Sequence, residues 1–504
     1  MKKILNSLLF LILCLGSIHA ENNSTFPQLT NIPTVYIQTK NRQDITSKDI
    51  YLKGIVTIVS ENGSSIFTDS IQIKGRGNAS WSFPKKPYRM KLYNKANLLG
   101  MPAKAKDWTL INNYGDKTLM RNLLAFDLSN RLEMPYSPAG KPVDVYLNNV
   151  YKGCYQLCDQ IEVGQGRVEV EKMDSTDISG VDLTGGYLVE LDAYASTEAL
   201  WFSSKRNGIP VTIKYPNDDE ITGEQINYIK TQFNAMESAL YTNRSAGISK
   251  YIDKSTFLRQ FLVGEFSGNT DTYWSTYMYK HLGDEKFYFG PVWDFDIAYE
   301  NDSRTYPINN NPNWIYASTG STANGVRDLV NQILSDASMM VELKNIWANY
   351  RSKGIINEDV LLKVVDDYAF EMDASQKLNF KVWNIMNQQV HMNPVVWGSY
   401  TAEVNNVKNY ISKRIVWMDY KLEYDPTRVK NTENSKIFHW VEANTLYIKG
   451  LSDNANVQIF DLTGRNVQTI ECSGTLTTNL ERGCYIVRIS DREDGNSTLK
   501  CIIP

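Results

Sequence analysis

Hydrophobic and polar positions alternate with a period of two along the first part of the chain and with a helical period along most of the middle. Val35-Tyr36-Ile37, residues 55–58, 70–74 and 87–92 predict half-buried strands. Residues 143–147 and 150–157, joined by Asn148-Asn149, predict a hairpin on an amide turn. One helix interrupts them over 117–132, with Leu119, Leu123 and Leu124 at helical spacing. After Gly185-Gly186 helices are predicted over 223–241, 255–266 with Ser255 as N-cap, 326–350, 358–380 behind Asn357, and 402–420. The last carries Val404, Val407, Ile411, Ile415 and Met418 on one face, the pattern of core packing. Two aromatic-rich runs, 274–280 and 286–292, interrupt these helices as a hairpin. Beyond about residue 426, short strands are predicted over 445–448, 457–461, 467–471 and 484–489. The pattern predicts an α+β chain: a β-rich lobe over about 34–188, a helical lobe over about 189–425, and a small β-sandwich over 430–504.

Composition narrows the destination. The start Met1-Lys2-Lys3, an apolar run over 4–15 and Ala20 read as a secretory signal peptide over residues 1–20. Leu13 before Cys14 argues against a lipid anchor there. The expected location is outside the cytoplasm: periplasm, outer surface or medium. No long apolar run occurs beyond residue 20, so no integral membrane segment is expected in the mature chain. A net charge of -3 gives no global attraction to nucleic acid. Cys154 and Cys158 lie four apart in one strand, roughly 13 Å from each other and too far to bridge. Cys472, Cys484 and Cys501 leave one bridge open. After export only His281, His391 and His439 remain, all isolated in sequence, which argues against histidine-based hydrolysis or a histidine-rich zinc centre.

The informative carboxylates flank the aromatic hairpin. Asp271 sits in Gly268-Asn269-Thr270-Asp271, and Asp294 and Asp296 flank Phe295 in Trp293-Asp294-Phe295-Asp296. Carboxylate, hairpin, carboxylate is the order in which protein kinases present a catalytic base and a metal-holding aspartate. The spelling differs from a conventional kinase, with Asp-Phe-Asp for Asp-Phe-Gly and Thr276 where the second metal-binding Asn would fall. Upstream, Lys74 to Lys91 contains six basic residues and no acidic one, with Gly75 and Gly77 able to bring backbone N–H groups close to an anion.

Several segments together resemble the CotH family, named for the spore coat protein H kinases. They are residues 75–89 (Gly-Arg-Gly-Asn-Ala-Ser-Trp onward), Lys106–Leu110, Asp116–Asn122, Val150–Leu157, Gly185–Asp192, and the Asn-Thr-Asp and Trp-Asp-Phe-Asp segments. The resemblance spans roughly 34–425 and implies a two-lobed atypical protein-kinase-like domain. It further implies transfer of the ATP γ-phosphate to Ser or Thr of a protein acceptor with Mg²⁺ or Mn²⁺. On that resemblance Asp271 is the catalytic residue, Asp294 and Asp296 hold metal, and Arg76, Lys85, Lys86 and Arg89 form the basic segment near the phosphates. Where many relatives carry Glu-Gln after the Tyr-x-Leu strand, this chain has Asp159-Gln160. The tail, Val457–Arg465 with Gly483–Val487, resembles the sorting domain of type IX secretion in Bacteroidota. A different class of function is also compatible with the residues: a non-catalytic surface or coat-like protein binding protein or carbohydrate, to which 30 Tyr and 11 Trp are suited.

Overall fold

The computed structural model describes Phe26 and residues 28–308, 314–318, 325–425, 438–491 and 495–503. The signal-peptide segment lies outside them. Among the described residues two compact units emerge, one of those up to Ile346 with Lys353–Met418, the other of Trp347–Ser352 with those from Asp419 onward. The first unit belongs to no single layer type: it joins a closed barrel, an open sheet and helices.

The β-rich part closes on itself. Strands β1 (Thr34–Thr39), β2 (Leu52–Val59), β3 (Ser65–Gly75), β4 (Tyr88–Ala96), β5 (Ala105–Ile111), β6 (Gly140–Leu147) and β7 (Val150–Asp159) form a seven-stranded barrel in the order β1-β2-β3-β4-β5-β7-β6. Closure comes from the parallel pairing of β1 with β6, Thr34 opposite Asp144 to Ile37 opposite Leu147. The period-two residues then point inward: Val35, Ile37, Val56, Ile58, Ile73, Met90, Trp108, Leu110, Val145 and Leu157 are buried in one cluster. Closure leaves no unpaired edge, which alternation within single strands cannot announce. The β6–β7 hairpin turns on Asn148 and Asn149, both at positive φ (52° and 68°), as their amide turn requires.

The part expected to be helical contains a second sheet. β8 (Tyr187–Asp192), β9 (Trp201–Ser203), β10 (Pro210–Tyr215), β11 (Ser275–Lys280) and β12 (Tyr288–Phe289) are ordered β12-β11-β8-β10-β9. β8 therefore runs across the expected lobe boundary near 188. The aromatic hairpin is present but short, Met278 opposite Phe289 and Tyr279 opposite Tyr288.

Helix ends differ from expectation for local reasons. The first long helix is Arg121–Arg131, because Asp116 ties back the Thr118 and Arg121 N–H groups (2.9 and 2.8 Å) and Leu119 takes a positive φ. Asp253, not Ser255, caps Lys254–Ser267, accepting from Thr256 N at 2.8 Å. The run 326–350 is two helices, Val326–Leu334 and Ala337–Ser352, split where Asp336 caps Ser338 N. The run 358–380 divides at Met372 into Glu358–Glu371, capped by Asn357, and Asp373–Val382. Gly223–Thr242 starts on a Thr222/Gln225 capping box. Among the described residues no helix is long and apolar enough to cross a membrane.

In the second unit the expected short strands extend into β13 (Phe438–Glu442), β14 (Thr445–Asp461), β15 (Asn466–Asn479), β16 (Gly483–Asp491) and β17 (Gly495–Ile503). They make one hydrogen-bonded five-stranded sheet whose strands run longer than expected. β14 and β15 shift register around Leu451–Ala455, and residues from both sides of the shift, Leu446, Ile448, Val457 and Ile459, share one buried cluster with Val487 and Ile489. Cys154, Cys158, Cys472, Cys484 and Cys501 are all free thiols.

Candidate active site

A cleft of about 740 Å³ opens between barrel residues and the second sheet within the first unit. That volume suits a nucleotide-sized ligand. Lys74, Arg76 and Arg89 line it from β3, β4 and the turn after β3; Asp271, Asp294, Asp296, Glu190 and Asp192 line it from the other side.

The Asp271 turn is built from the helix before it. Gly268 ends Lys254–Ser267 in the left-handed conformation, and a Cβ there would overlap the Tyr410 hydroxyl and Ile308. Glu265, fully buried, accepts from Tyr273 Oη at 2.6 Å and from the N–H groups of Ile315 and Tyr316 at 2.6 and 2.9 Å. Arg414 covers the same carboxylate at 3.4 Å and donates to the Glu265 carbonyl through Nε at 2.9 Å. The short helical turn Thr270–Tyr273 is thereby held at both ends, and Asp271 faces the cleft with a third of its side chain exposed (33%).

The Trp-Asp-Phe-Asp loop is fixed through its backbone, which leaves its carboxylates to the cleft. Asn269 Nδ2 donates to the Asp294 carbonyl at 2.9 Å, Phe295 N donates to Asn122 Oδ1 at 2.7 Å, and Asn301 Nδ2 donates to the Asp296 carbonyl at 2.9 Å. Asn393 in turn donates to Asn301 Oδ1 at 2.9 Å. Asp294 sits at φ 59°, a strained setting for a non-glycine residue and one that concentrates at functional sites.

These carboxylates press on one another. Burial by the cleft walls, then Asp296, pushes Asp294 up to about 8, with Asp271 and Glu190 adding and Arg76 opposing. Burial and Asp116 push Asp296 up to about 6, and burial and Asp296 push Asp271 to about 6 against the pull of Arg304. Although its environment is protein-walled, Asp294 is open to the cleft, so solvent and ligand both reach it. Among the described residues no hydrogen bond or ion pair satisfies the Asp294 carboxylate, and no group of three His, Cys, Asp or Glu side chains encloses a metal. An Mg²⁺ ion held by one or two carboxylates plus substrate phosphates fits that donor set better than an all-protein cage does.

The basic segment divides. Arg76 lies over the Trp293 ring at 5.5 Å and makes no ion pair among the described residues. Arg89 reaches the cleft while paired with Asp107 at 2.9 Å. Lys85 turns away: 1% exposed, it donates to the Cys154 carbonyl at 2.5 Å and to Asn379 Oδ1 at 2.8 Å, and lies 4.6 Å over the Tyr155 ring. Desolvation holds its amine down to about 7. Lys86 caps the Trp81 carbonyl at 2.7 Å and stacks on that ring. Neither lysine lines the cleft. Gly75 is required for a different reason from ligand approach, since a Cβ there would overlap the Trp81 ring, while Gly77 has φ 82°.

Asp159 is buried and accepts from Tyr136 Oη (3.1 Å), Ala139 N (3.0 Å) and Arg167 Nε (3.3 Å). Arg167 continues to the Asp107 carbonyl at 2.6 Å, so this acid is linked to the cleft through Asp107 and Arg89. Sequence reasoning missed Lys74, Glu190, Asp192, Asn122, Arg304 and His391. Glu190 and Asp192 stand two apart on β8 and so share its cleft-facing side. Asn122 closes the Asp116–Asn122 segment, whereas Arg304 and His391 carry no local signal. The Thr276 hydroxyl donates to Thr272 O, and Thr276 does not line the cleft.

A family model described as CotH kinase protein matches residues 73–418, and one described as secretion system C-terminal sorting domain matches 442–504. No curated protein matches the chain. The sorting domain supports export or a cell-surface location. With its match running from the basic wall of the cleft through both carboxylate loops, the chain belongs to the CotH kinase protein family.

Proposed function

We propose that this exported protein is a metal-dependent atypical protein kinase that transfers the ATP γ-phosphate to Ser or Thr of a surface or secreted protein. The observation that carries the reading is the placement of Asp271 on one tethered turn and Asp294 with Asp296 on another, facing Lys74, Arg76 and Arg89 across one cleft. Mg²⁺ or Mn²⁺, when bound, supplies charge neutralisation on the phosphate oxygens. Asp294 and Asp296 are the residues to hold it, and their mutual repulsion is relieved by a cation. Arg76, without a carboxylate partner among the described residues, and Arg89 and Lys74 take the phosphate side. Asp271 orients and accepts the proton of the acceptor hydroxyl. On this reading a kinase-like pair of lobes corresponds to the barrel and the sheet-plus-helix region.

A second reading, a non-catalytic scaffold that binds protein or carbohydrate, draws on the aromatic load of 30 Tyr and 11 Trp. One experiment separates them. A nucleotide thermal-shift panel with Mg²⁺ and Mn²⁺, run beside radiolabelled phosphate incorporation, should show metal-dependent stabilisation by ATP and transfer to protein. Wild-type protein that shows neither with either metal leaves the scaffold reading standing.

A further inference from the structure

Asp302 is fully buried and grips one edge of the Arg304 guanidinium through two bonds, Nε to Oδ1 at 2.9 Å and Nη2 to Oδ2 at 2.7 Å. The same Nη2 donates to Thr270 Oγ1 and to Asp271 Oδ1, each at 3.1 Å. Thr270 also donates to Asp302, so the residue next to Asp271 in sequence is locked to the same carboxylate. Among the described residues Asp271 Oδ2 has no protein partner. A planar fork held by a buried acid is a rigid device, unlike a lone lysine.

We propose that Arg304 is a positioning residue for Asp271: anchored by Asp302, it holds Oδ1 and presents Oδ2 to the acceptor hydroxyl. The inference rests on the phosphotransferase reading and adds the element that aims its base. The Arg304 charge also opposes the upward push that burial, Asp296 and Asp302 exert on Asp271, which keeps more of that carboxylate ionised. His391 lines the same corner and feels Asp271, Arg304 and Asp302, with burial holding its imidazole toward the neutral form.

The test uses the full chain with wild type, R304A, R304K and D271A, measuring kcat and KM for phosphate incorporation beside the Mg·ATP thermal shift. R304A should lose about 10²-fold in kcat, the scale of a misaimed catalytic group, with KM for ATP and the thermal shift unchanged. R304K, which keeps the charge without the fork, should fall between R304A and wild type and guards against a folding defect in R304A. Added methylguanidine should restore part of the R304A rate and none of the D271A rate. Wild-type kcat in R304A, or a loss in R304K and R304A that tracks a lost thermal shift and resists methylguanidine, overturns the inference while the kinase reading stands. Wild type without phosphate transfer removes the kinase reading and this inference together.

Discussion

The segment Lys74–Lys91 and the segment Asp271–Arg304 both concentrate charge in sequence, yet they spend it differently. In the second, Asp271, Asp294, Asp296 and Arg304 all reach one cleft, because the segments that carry them are tied from behind: the Asp271 turn by Glu265, the loop of Asp294 and Asp296 by Asn269, Asn122 and Asn301, and Arg304 by Asp302. In the first, Lys74, Arg76 and Arg89 reach the cleft while Lys85 enters the core and Lys86 caps a neighbouring ring. The difference lies in the backbone that carries each residue. Lys85 and Lys86 fall in the loop between the helical turn Ala79–Ser82 and β4, where no strand alternation dictates a face. Charge density in a sequence marks a candidate site, but only backbone tethers say which charges face it.

The largest expected effect tests the acidic side. Asp294→Ala should abolish both the metal-dependent ATP thermal shift and phosphate transfer. Asp271→Ala should keep the shift and lose about 10²–10⁴-fold in rate, the usual contribution of a positioned base. Equal loss of ligand response in both variants would mean the two turns act as one site without division of labour.

The basic side should split along the structural line. Arg76→Ala should melt normally and bind Mg·ATP more weakly. Lys85→Ala should leave ligand affinity alone but lose about 1–3 kcal/mol of stability by chemical denaturation, because the Cys154 carbonyl loses its Lys85 donor inside the protein while Asn379 keeps only its bond from Cys154 N. Weak ATP binding by a normally stable Lys85 variant would restore that lysine to the site.

Tether removal should have a smaller effect. Asn269→Ala deletes the bond to the Asp294 carbonyl and should cost about 0.5–1.5 kcal/mol, with a rate loss exceeding the loss of stability. The two effects are read from urea titration and phosphate incorporation. A rate unchanged at lowered stability would make Asn269 a fold residue only.

The pH dependence sharpens the same contrast. The Lys85 amine is lowered from 10.5 to about 7 in the folded protein. Between those values the unfolded chain binds the extra proton, so stability relative to Lys85→Met should rise as pH climbs from about 7 towards 10 and level off below about 7. Denaturation midpoints across that range check it; a flat difference would mean the amine stays charged in the core.

Local pattern was enough to find the period-two and helical segments, the Asn148-Asn149 hairpin, the cap at Asn357, and the paired loops bearing Asp271, Asp294 and Asp296. These are legible because alternation, turn chemistry and short motifs are local properties of a chain. Helix starts were less so: Ser255 and Asp253 are both sound caps, and only hydrogen-bond geometry chose between them. Closure of the barrel, the joining of β8 to β11, the inward turn of Lys85, and the arrival of Arg304 and His391 beside Asp271 were decided by tertiary structure. Each depends on contacts between residues far apart in sequence, where burying an apolar face or satisfying a buried polar group outweighs any local preference.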